Sequence, residues 1–154
     1  MTAREWYEKL RLDGIELEQR KRRAMELRAA LGAQGSALEG TISGGGNRDA
    51  MAQVDTVMDY ETSLESDIAV HDACLERATD ILYGRSGNGG LAKASSTTET
   101  DCICGYYLNL MSWAEVAAEM VRPETKWPKQ WVQRKAMSGL RHIDRIGAAT
   151  LADS

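Results

Sequence analysis

Apolar residues recur along the first third of the chain at helical spacing. Trp6, Leu10, Asp13, Leu17, Arg20, Ala24, Leu27 and Leu31 alternate steps of four and three, the period of a single helix face with a heptad seam. Thr2 is placed to cap this helix, and Glu5, three residues on, completes a capping box. Gly32 is expected to end it, because glycine takes the left-handed position after a helix freely. Asp13 and Arg20 interrupt the apolar seam. Arg20 is expected to lay its stem along the seam and keep its guanidinium in water.

Residues 32–47 hold Gly32, Gly35, Ser36, Gly40, Ser43, Gly44, Gly45 and Gly46, a composition that reads as a flexible tip. A second helical pattern follows through Ala50, Val54, Val57, Glu61, Leu64, Ile68, His71, Leu75, Ala78 and Leu82, with Asn47 as N-cap and Gly84 as the stop. Two helices of about 30 residues are each about 45 Å long. The tip between them permits an antiparallel hairpin over residues 1–83.

Residues 84–98, with Gly87-Asn88-Gly89-Gly90 and Ser95-Ser96-Thr97-Thr98, read as a flexible linker and a domain boundary. The remainder, 99–154, predicts three short helices. The first covers Glu99 to Leu110. The second opens at Ser112 with Glu115 at capping-box distance and runs to Val121. The third starts near Pro128, favourable in a first turn, and buries Trp131, Val132, Ala136, Leu140 and Ile143. The expected class is therefore all-α: a long antiparallel helical hairpin followed by a three-helix, helix-turn-helix-like unit.

Composition agrees with helices. The chain is 154 residues with 43% hydrophobic residues and no Phe, so its core is aliphatic rather than the β-branched and aromatic core of a sandwich. Three cysteines, Cys74, Cys102 and Cys104, make no paired framework and predict a reducing compartment. The first thirty residues carry charge throughout and no signal-peptide pattern, and no run is long enough for a membrane span. The expected location is the cytoplasm.

Charge is distributed unevenly. Ala3–Leu31 has eight basic against six acidic residues, and Asn47–Tyr83 has two against nine. The basic run Arg20-Lys21-Arg22-Arg23 is expected to face Asp55 and Asp59 across the hairpin, fixing orientation more than stability. A lone two-helix hairpin buries little, so a homodimer or docking of the C-terminal unit is expected. Arg122–Arg145 has seven basic residues against two acidic ones in a chain of net charge -4.

A short capped helix followed by a connection and a basic helix is the layout of a helix-turn-helix. Lys126, Lys129, Gln130, Gln133, Arg134, Met137 and Arg141 lie off the apolar stripe of the last helix. Lysine and arginine neutralise phosphates, and arginine and glutamine make bidentate contacts with guanine and adenine edges. Lys126, Lys129, Gln130, Gln133, Arg134 and Arg141 are therefore the candidate contacts to double-stranded DNA.

Cys102 to Met120 resembles the corresponding helices of a family encoded by phages and prophages of Gram-positive bacteria. That family joins a charged helical hairpin with a Gly-rich tip to a helix-turn-helix similar to region four of sigma factors. Its signature is an aromatic ending the first helix, a short turn, and Ser-Trp-x-x-(Ile/Val)-Ala. Here these are Tyr107, residues 108–111, and Ser112-Trp113-Ala114-Glu115-Val116-Ala117. Val132, Gly139-Leu140 and Ile143 match the family's last helix, and Ser43-Gly44-Gly45-Gly46-Asn47 its tip. The resemblance implies transcription regulation, with RNA polymerase or another bacterial protein as a partner. The chain departs from the family in an insertion at 121–131, with Pro123, Trp127 and Pro128, and in Gly139 where alanine is usual.

Other signals carry less. Cys102 and Cys104 sit two apart, a spacing that points to different faces of a helix, and ligands at zinc-finger spacing are missing; no metal and no cofactor are expected. Gly44-Gly45-Gly46-Asn47 lacks the strand and the Gly-Lys-Ser/Thr of a phosphate loop. His71 is expected to pack in the seam, and His142 to lie near solvent or phosphate. Trp127 and Trp131 would share a face if both were helical. No acid–base or nucleophile constellation is apparent, and the expectation is a protein that is not an enzyme. The alternative to DNA binding is a phage-encoded protein-binding inhibitor or adaptor, using Asp55, Asp59, Glu61 and Glu65 on the acidic helix to enter a basic groove.

Overall fold

A computed structural model describes residues 1–38 and 46–154. Its elements are α1 (Ala3–Leu38), α2 (Gly46–Tyr83), α3 (Gly90–Ala94), α4 (Thr97–Ile103), a π turn (Cys104–Leu108), α5 (Trp113–Met120), α6 (Pro128–Ile146) and α7 (Ala148–Ala152). No strand occurs among the described residues. The fold is all-α, a long helix pair followed by shorter helices. No described helix is long and apolar enough to cross a membrane. Residues 39–45 of the expected Gly-rich tip lie outside the described residues. The tip's first part does not: Gly32 is not the stop, and α1 continues through it to Leu38. A helical glycine costs about 1 kcal/mol against alanine, too little to end a helix whose following residues include Ala33, Ala37 and Leu38.

The chain divides into two compact units, Ile15–Val70 and Met1–Gly14 with His71–Ser154. In the smaller unit α1 and α2 pair antiparallel. Arg20 Nη1 donates to Asp67 Oδ2 at 2.7 Å, and Arg28 donates through Nε and Nη2 to the two oxygens of Glu61 at 2.9 and 2.6 Å. The expected pairing of the basic run with Asp55 and Asp59 is thus corrected: the partner of Arg20 lies about two turns further along α2. The seam cluster holds Leu17, Ala24 and Leu64, with Tyr60 and Ile68 packed against it.

In the larger unit the apolar face of α1 begins one residue later than the spacing suggested. Tyr7, Leu10 and Gly14 are buried, whereas Trp6 and Asp13 are half-exposed. Asp13 turns to Lys9 on its own helix at 2.6 Å. Tyr7 is fully buried and donates its hydroxyl to the Ala78 carbonyl at 3.1 Å; burial pushes its phenol well up. Gly14 is the close-approach point. A Cβ there would meet His71 Nε2 and Leu110 Cδ2, both at 3.2 Å, which packs His71 in the seam as expected. The N-terminus of α1 carries the expected capping box, with the Glu5 N–H on Thr2 Oγ1 at 3.2 Å and the Thr2 N–H on Glu5 Oε2 at 2.7 Å.

Residues 84–98 are not a free linker. Gly84 stops α2 with φ +76°, its N–H on the Asp80 carbonyl at 2.7 Å. The chain then turns at once into α3, where Leu91 is fully buried. Gly90, also at positive φ, comes so close to Leu82 and Tyr83 that a Cβ would lie 2.6 Å from their backbone. The glycines here make a tight corner, not slack. Leu91 joins Tyr7, Leu82, Ile103, Tyr107, Val116, Val132, Ala136, Leu140 and Leu151 in one continuous core.

Candidate nucleic-acid interface

The last long helix, α6, is buried on one side and exposed on the other. Pro128 occupies its first turn, and Val132, Ala136, Gly139, Leu140 and Ile143 are buried against the core. Gly139 earns its place by approach: a Cβ would stand 2.8 Å from Ile103 Cδ1 and 3.1 Å from Glu99 Cβ. Gly139 is the position at which α6 can cross α4 closely. The preceding helix, α5, has the expected cap, with the Glu115 N–H on Ser112 Oγ at 3.2 Å and Ser112 Oγ donating to Glu115 Oε1 at 3.0 Å.

The turn before α5 is held by an aromatic stack. Trp113 lies flat on Tyr106 with centroids 3.7 Å apart and planes 6° apart, and the Arg11 guanidinium covers the other face of Tyr106 at 3.8 Å. Arg11 also donates to the Tyr106 and Met111 carbonyls, the latter at 3.0 Å, and so caps the end of the π turn. Inside that turn Gly105 lets Val116 of α5 approach, since a Cβ would meet its Cγ2 at 3.2 Å. Trp113, stacked on Tyr106, therefore anchors the first turn of α5.

The opposite side of α6 faces outward. Lys126, Lys129, Gln130, Arg134 and Arg141 are exposed and Gln133 is half-buried. Gln130, Gln133, Arg134 and Arg141, four of the six sequence-predicted contacts, line one open groove of about 560 Å³ together with Trp127 and Met137. Lys126 and Lys129 are placed beside Trp127 at the N-terminal end of the helix and do not line it. Its two cations, Arg134 and Arg141, stand about two turns apart, with Met137 between them. Gln133 and Met137 also line a second groove, with Arg4, Glu8 and Leu12 of α1.

The condition on which Trp127 would share a face with Trp131, that both be helical, is not met. Trp127 precedes α6 in a left-handed conformation (φ 56°, ψ 52°) and is 70% exposed. Trp131 is half-buried under Lys135, whose Nζ lies 5.4 Å from the ring centroid. A bulky residue at positive φ is an uncommon, strained state. Here the strain turns the chain from residues 121–126 into α6 and leaves the indole outward. Residues 121–127 thereby form a turn, with the Thr125 N–H on the Arg122 carbonyl at 3.0 Å, and α6 begins at Pro128 with its candidate residues exposed.

His142 is not near solvent alone, as expected, but part of a polar cluster that ties α6 to α4. Glu99 is 7% exposed and accepts from Ser95 Oγ at 2.8 Å, Ser138 Oγ at 2.9 Å and His142 Nδ1 at 2.9 Å. Burial pushes its carboxyl up, but the three hydrogen bonds from Ser95, His142 and Ser138 together outweigh it, holding it below the usual range. Ser95 Oγ reaches the same Nδ1 at 2.8 Å. A relay of the serine-hydrolase kind needs serine on one ring nitrogen and the acid on the other; here both use Nδ1. The cluster is a strut.

Cys102 is fully buried, and burial pushes its thiol up to about 11; Cys104 is raised for the same reason. Neither has the depressed value of a reactive cysteine. On the acidic helix, Asp55, Asp59 and Glu65 are exposed, whereas Glu61 is committed to Arg28. No protein-family model, curated protein or solved structure matches this chain.

Proposed function

We propose that the protein is a DNA-binding transcriptional regulator of phage type, similar to region four of sigma factors, that enters the major groove of double-stranded DNA with α6. The carrying observation is the outward face of α6: Gln130, Gln133, Arg134 and Arg141 on one groove, Lys126 and Lys129 at its N-terminal end, and the opposite face locked into the core. A recognition helix needs that combination, because base readout requires side chains held in register on a rigid support. The resemblance of Ser112–Ala117 to the phage and prophage family supports the same reading. In it Gln133 and Arg134 read base edges, and Lys126, Lys129 and Arg141 meet phosphates.

The smaller unit supplies dimerisation or a contact to polymerase. Met51, Val54 and Met58 are exposed at helical spacing on α2, and Met25 is exposed on α1, an apolar stripe of the kind that partners cover. The other reading, a protein-binding adaptor acting through the acidic helix, draws on the exposed Asp55, Asp59 and Glu65.

Salt-titrated fluorescence anisotropy against phage and host promoter duplexes tests the proposal. Binding should be sequence-selective and fall steeply with salt. Gln133→Ala with Arg134→Ala should erase most selectivity, since a good bidentate contact is worth about 1–3 kcal/mol of discrimination. Absence of binding at low salt sinks the DNA reading. Loss of a pulled-down bacterial protein on neutralising Asp55, Asp59 and Glu65 would then establish the adaptor.

A further inference from the structure

The larger unit contains a cavity that the DNA reading leaves unused. It lies between the first turns of α1, the C-terminal half of α2 and the end of α6, and has a volume of about 580 Å³. That size falls within the range of small-molecule pockets, roughly 300–1,000 Å³. Trp6, Tyr7, Ile81 and Ile143 give it apolar walls. Its polar lining is almost entirely committed. Tyr7 donates to the Ala78 carbonyl, Thr2 is bound up in the capping box with Glu5, and Asp144 accepts the Ala3 N–H at 2.7 Å. Arg77 lines the cavity from α2 and makes no ion pair or hydrogen bond among the described residues.

A half-open, largely apolar pocket with an uncommitted guanidinium on its wall selects its ligand by charge and shape. Guanidinium is the fork that matches a carboxylate in two parallel hydrogen bonds, and the aromatic and aliphatic walls take an apolar body. A cationic ligand has no free counter-charge except the already engaged Asp144. We propose that this cavity is a binding site for a small apolar monocarboxylate, its body against Trp6, Tyr7, Ile81 and Ile143 and its carboxylate on Arg77. This site does not depend on DNA binding by α6. It does touch that helix, through Ile143 and Asp144, so an occupied cavity would brace the end of α6 remote from Trp127.

Cys74 supplies a local reporter, because its half-exposed thiol lines the same cavity. In a Cys104→Ser background, with Cys102 fully buried, Cys74 is the accessible thiol. Octanoate is the probe, titrated by isothermal calorimetry into the full chain, with octanol as its neutral counterpart. Octanoate should bind at one site, slow Cys74 modification by a disulfide reagent at least about fivefold, and bind at least about tenfold more weakly to Arg77→Gln, which removes the charge-assisted pair. Octanol should show the same deficit on the unaltered chain. Arg77 is exposed on α2, so this substitution leaves the fold intact; matching thermal melts verify that. Ala148→Leu, which narrows the cavity from α7, should weaken octanoate with Arg77 in place. The proposal is overturned if octanoate does not bind, if it binds Arg77→Gln equally well, or if Cys74 reacts at the same rate with and without it.

Discussion

The two compact units use the same kind of long helix in opposite ways. In Ile15–Val70, α1 and α2 meet over a seam of Leu17, Ala24 and Leu64, edged by charge pairs, and leave Met25, Met51 and Met58 outward. In the larger unit the first turns of α1 and the last of α2 are enclosed by α3 to α7 and share a core that runs from Tyr7 to Leu151. Sequence periodicity is similar in both. What differs is the number of directions from which each helix is covered, and a two-helix pair covers each from one side only. Most helical stability comes from packing of an apolar face rather than from propensity. The smaller unit should therefore open more readily than the larger one, and its exposed methionines should matter more to association than to folding.

The sharpest way to break this contrast is to cut both cores. Leu140→Ala removes a side chain that is 2% exposed between α4 and α5, and should cost about 2–5 kcal/mol. Urea unfolding should show the loss, with hydrogen exchange accelerated throughout the larger unit. Leu64→Ala should accelerate exchange in residues 57–68 and leave protection of α4 and α6 unchanged. Equal responses from the two substitutions would mean that the units unfold as one.

Gly139→Ala comes next and isolates the crossing of α6 over α4. Alanine gains about 1 kcal/mol of helix propensity, but its Cβ would stand 2.8 Å from Ile103 Cδ1 inside a filled core. Overpacking of this kind costs about 1–3 kcal/mol, so net destabilisation is expected by thermal melting. Ile103→Val should relieve it. Stabilisation by Gly139→Ala alone would show that α6 has room to shift, and would weaken the case for a rigidly held outward face.

How much of this was legible in the sequence follows a physical line. Features carried by a few neighbouring residues were readable: the capping boxes at Thr2/Glu5 and Ser112/Glu115, the start of α6 at Pro128, its buried stripe, and the stop at Gly84. Features decided by what lies across the fold were not. Tyr7 rather than Trp6 faces inward because Ala78 and Tyr107 stand opposite, and nothing local to the chain says so. Residues 84–98 have a linker's composition, yet Gly84 and Gly90 are there for backbone approach around a buried Leu91. Of the candidate interface, the outward set on α6 was readable from its amphipathic spacing. The position of Trp127 was not, because a left-handed tryptophan is a state no propensity predicts. The Glu99 cluster was equally hidden, since its partners Ser138 and His142 lie about forty residues away in sequence.

That cluster gives a pH test confined to the larger unit. The carboxyl of Glu99 is held below its ordinary value in the folded chain. A depressed carboxylate contributes stability that is fully present above its unfolded pKa, about 4.3, and is lost as pH falls through the folded value. Part of the acid lability between neutrality and strongly acid pH should therefore belong to Glu99. Glu99→Gln should be less stable at neutral pH and should show a flatter decline below about pH 4.5, measured by thermal melts across that window. Parallel curves for the two proteins would remove Glu99 from the acid response.

The smallest effect is expected at the edge of the smaller unit. Arg28 and Glu61 make a two-pronged pair at 2.9 and 2.6 Å, but Arg28 is well exposed. Solvent and salt screen such a pair, and ordering two long side chains offsets much of the attraction. A double-mutant cycle with Arg28→Ala and Glu61→Ala should thus give a coupling far below the loss from Leu140→Ala and close to nothing in high salt. The pair's use is register: it and Arg20–Asp67 select which turns of α2 face α1 in a seam too thin to specify alignment by packing alone. Reversing both charges, Arg28→Glu with Glu61→Arg, should keep that register, whereas Arg28→Glu alone should loosen it, read as faster exchange near residues 57–64. A single reversal without effect there would leave alignment to Leu17, Ala24 and Leu64, and the charges on this unit would be free for a partner.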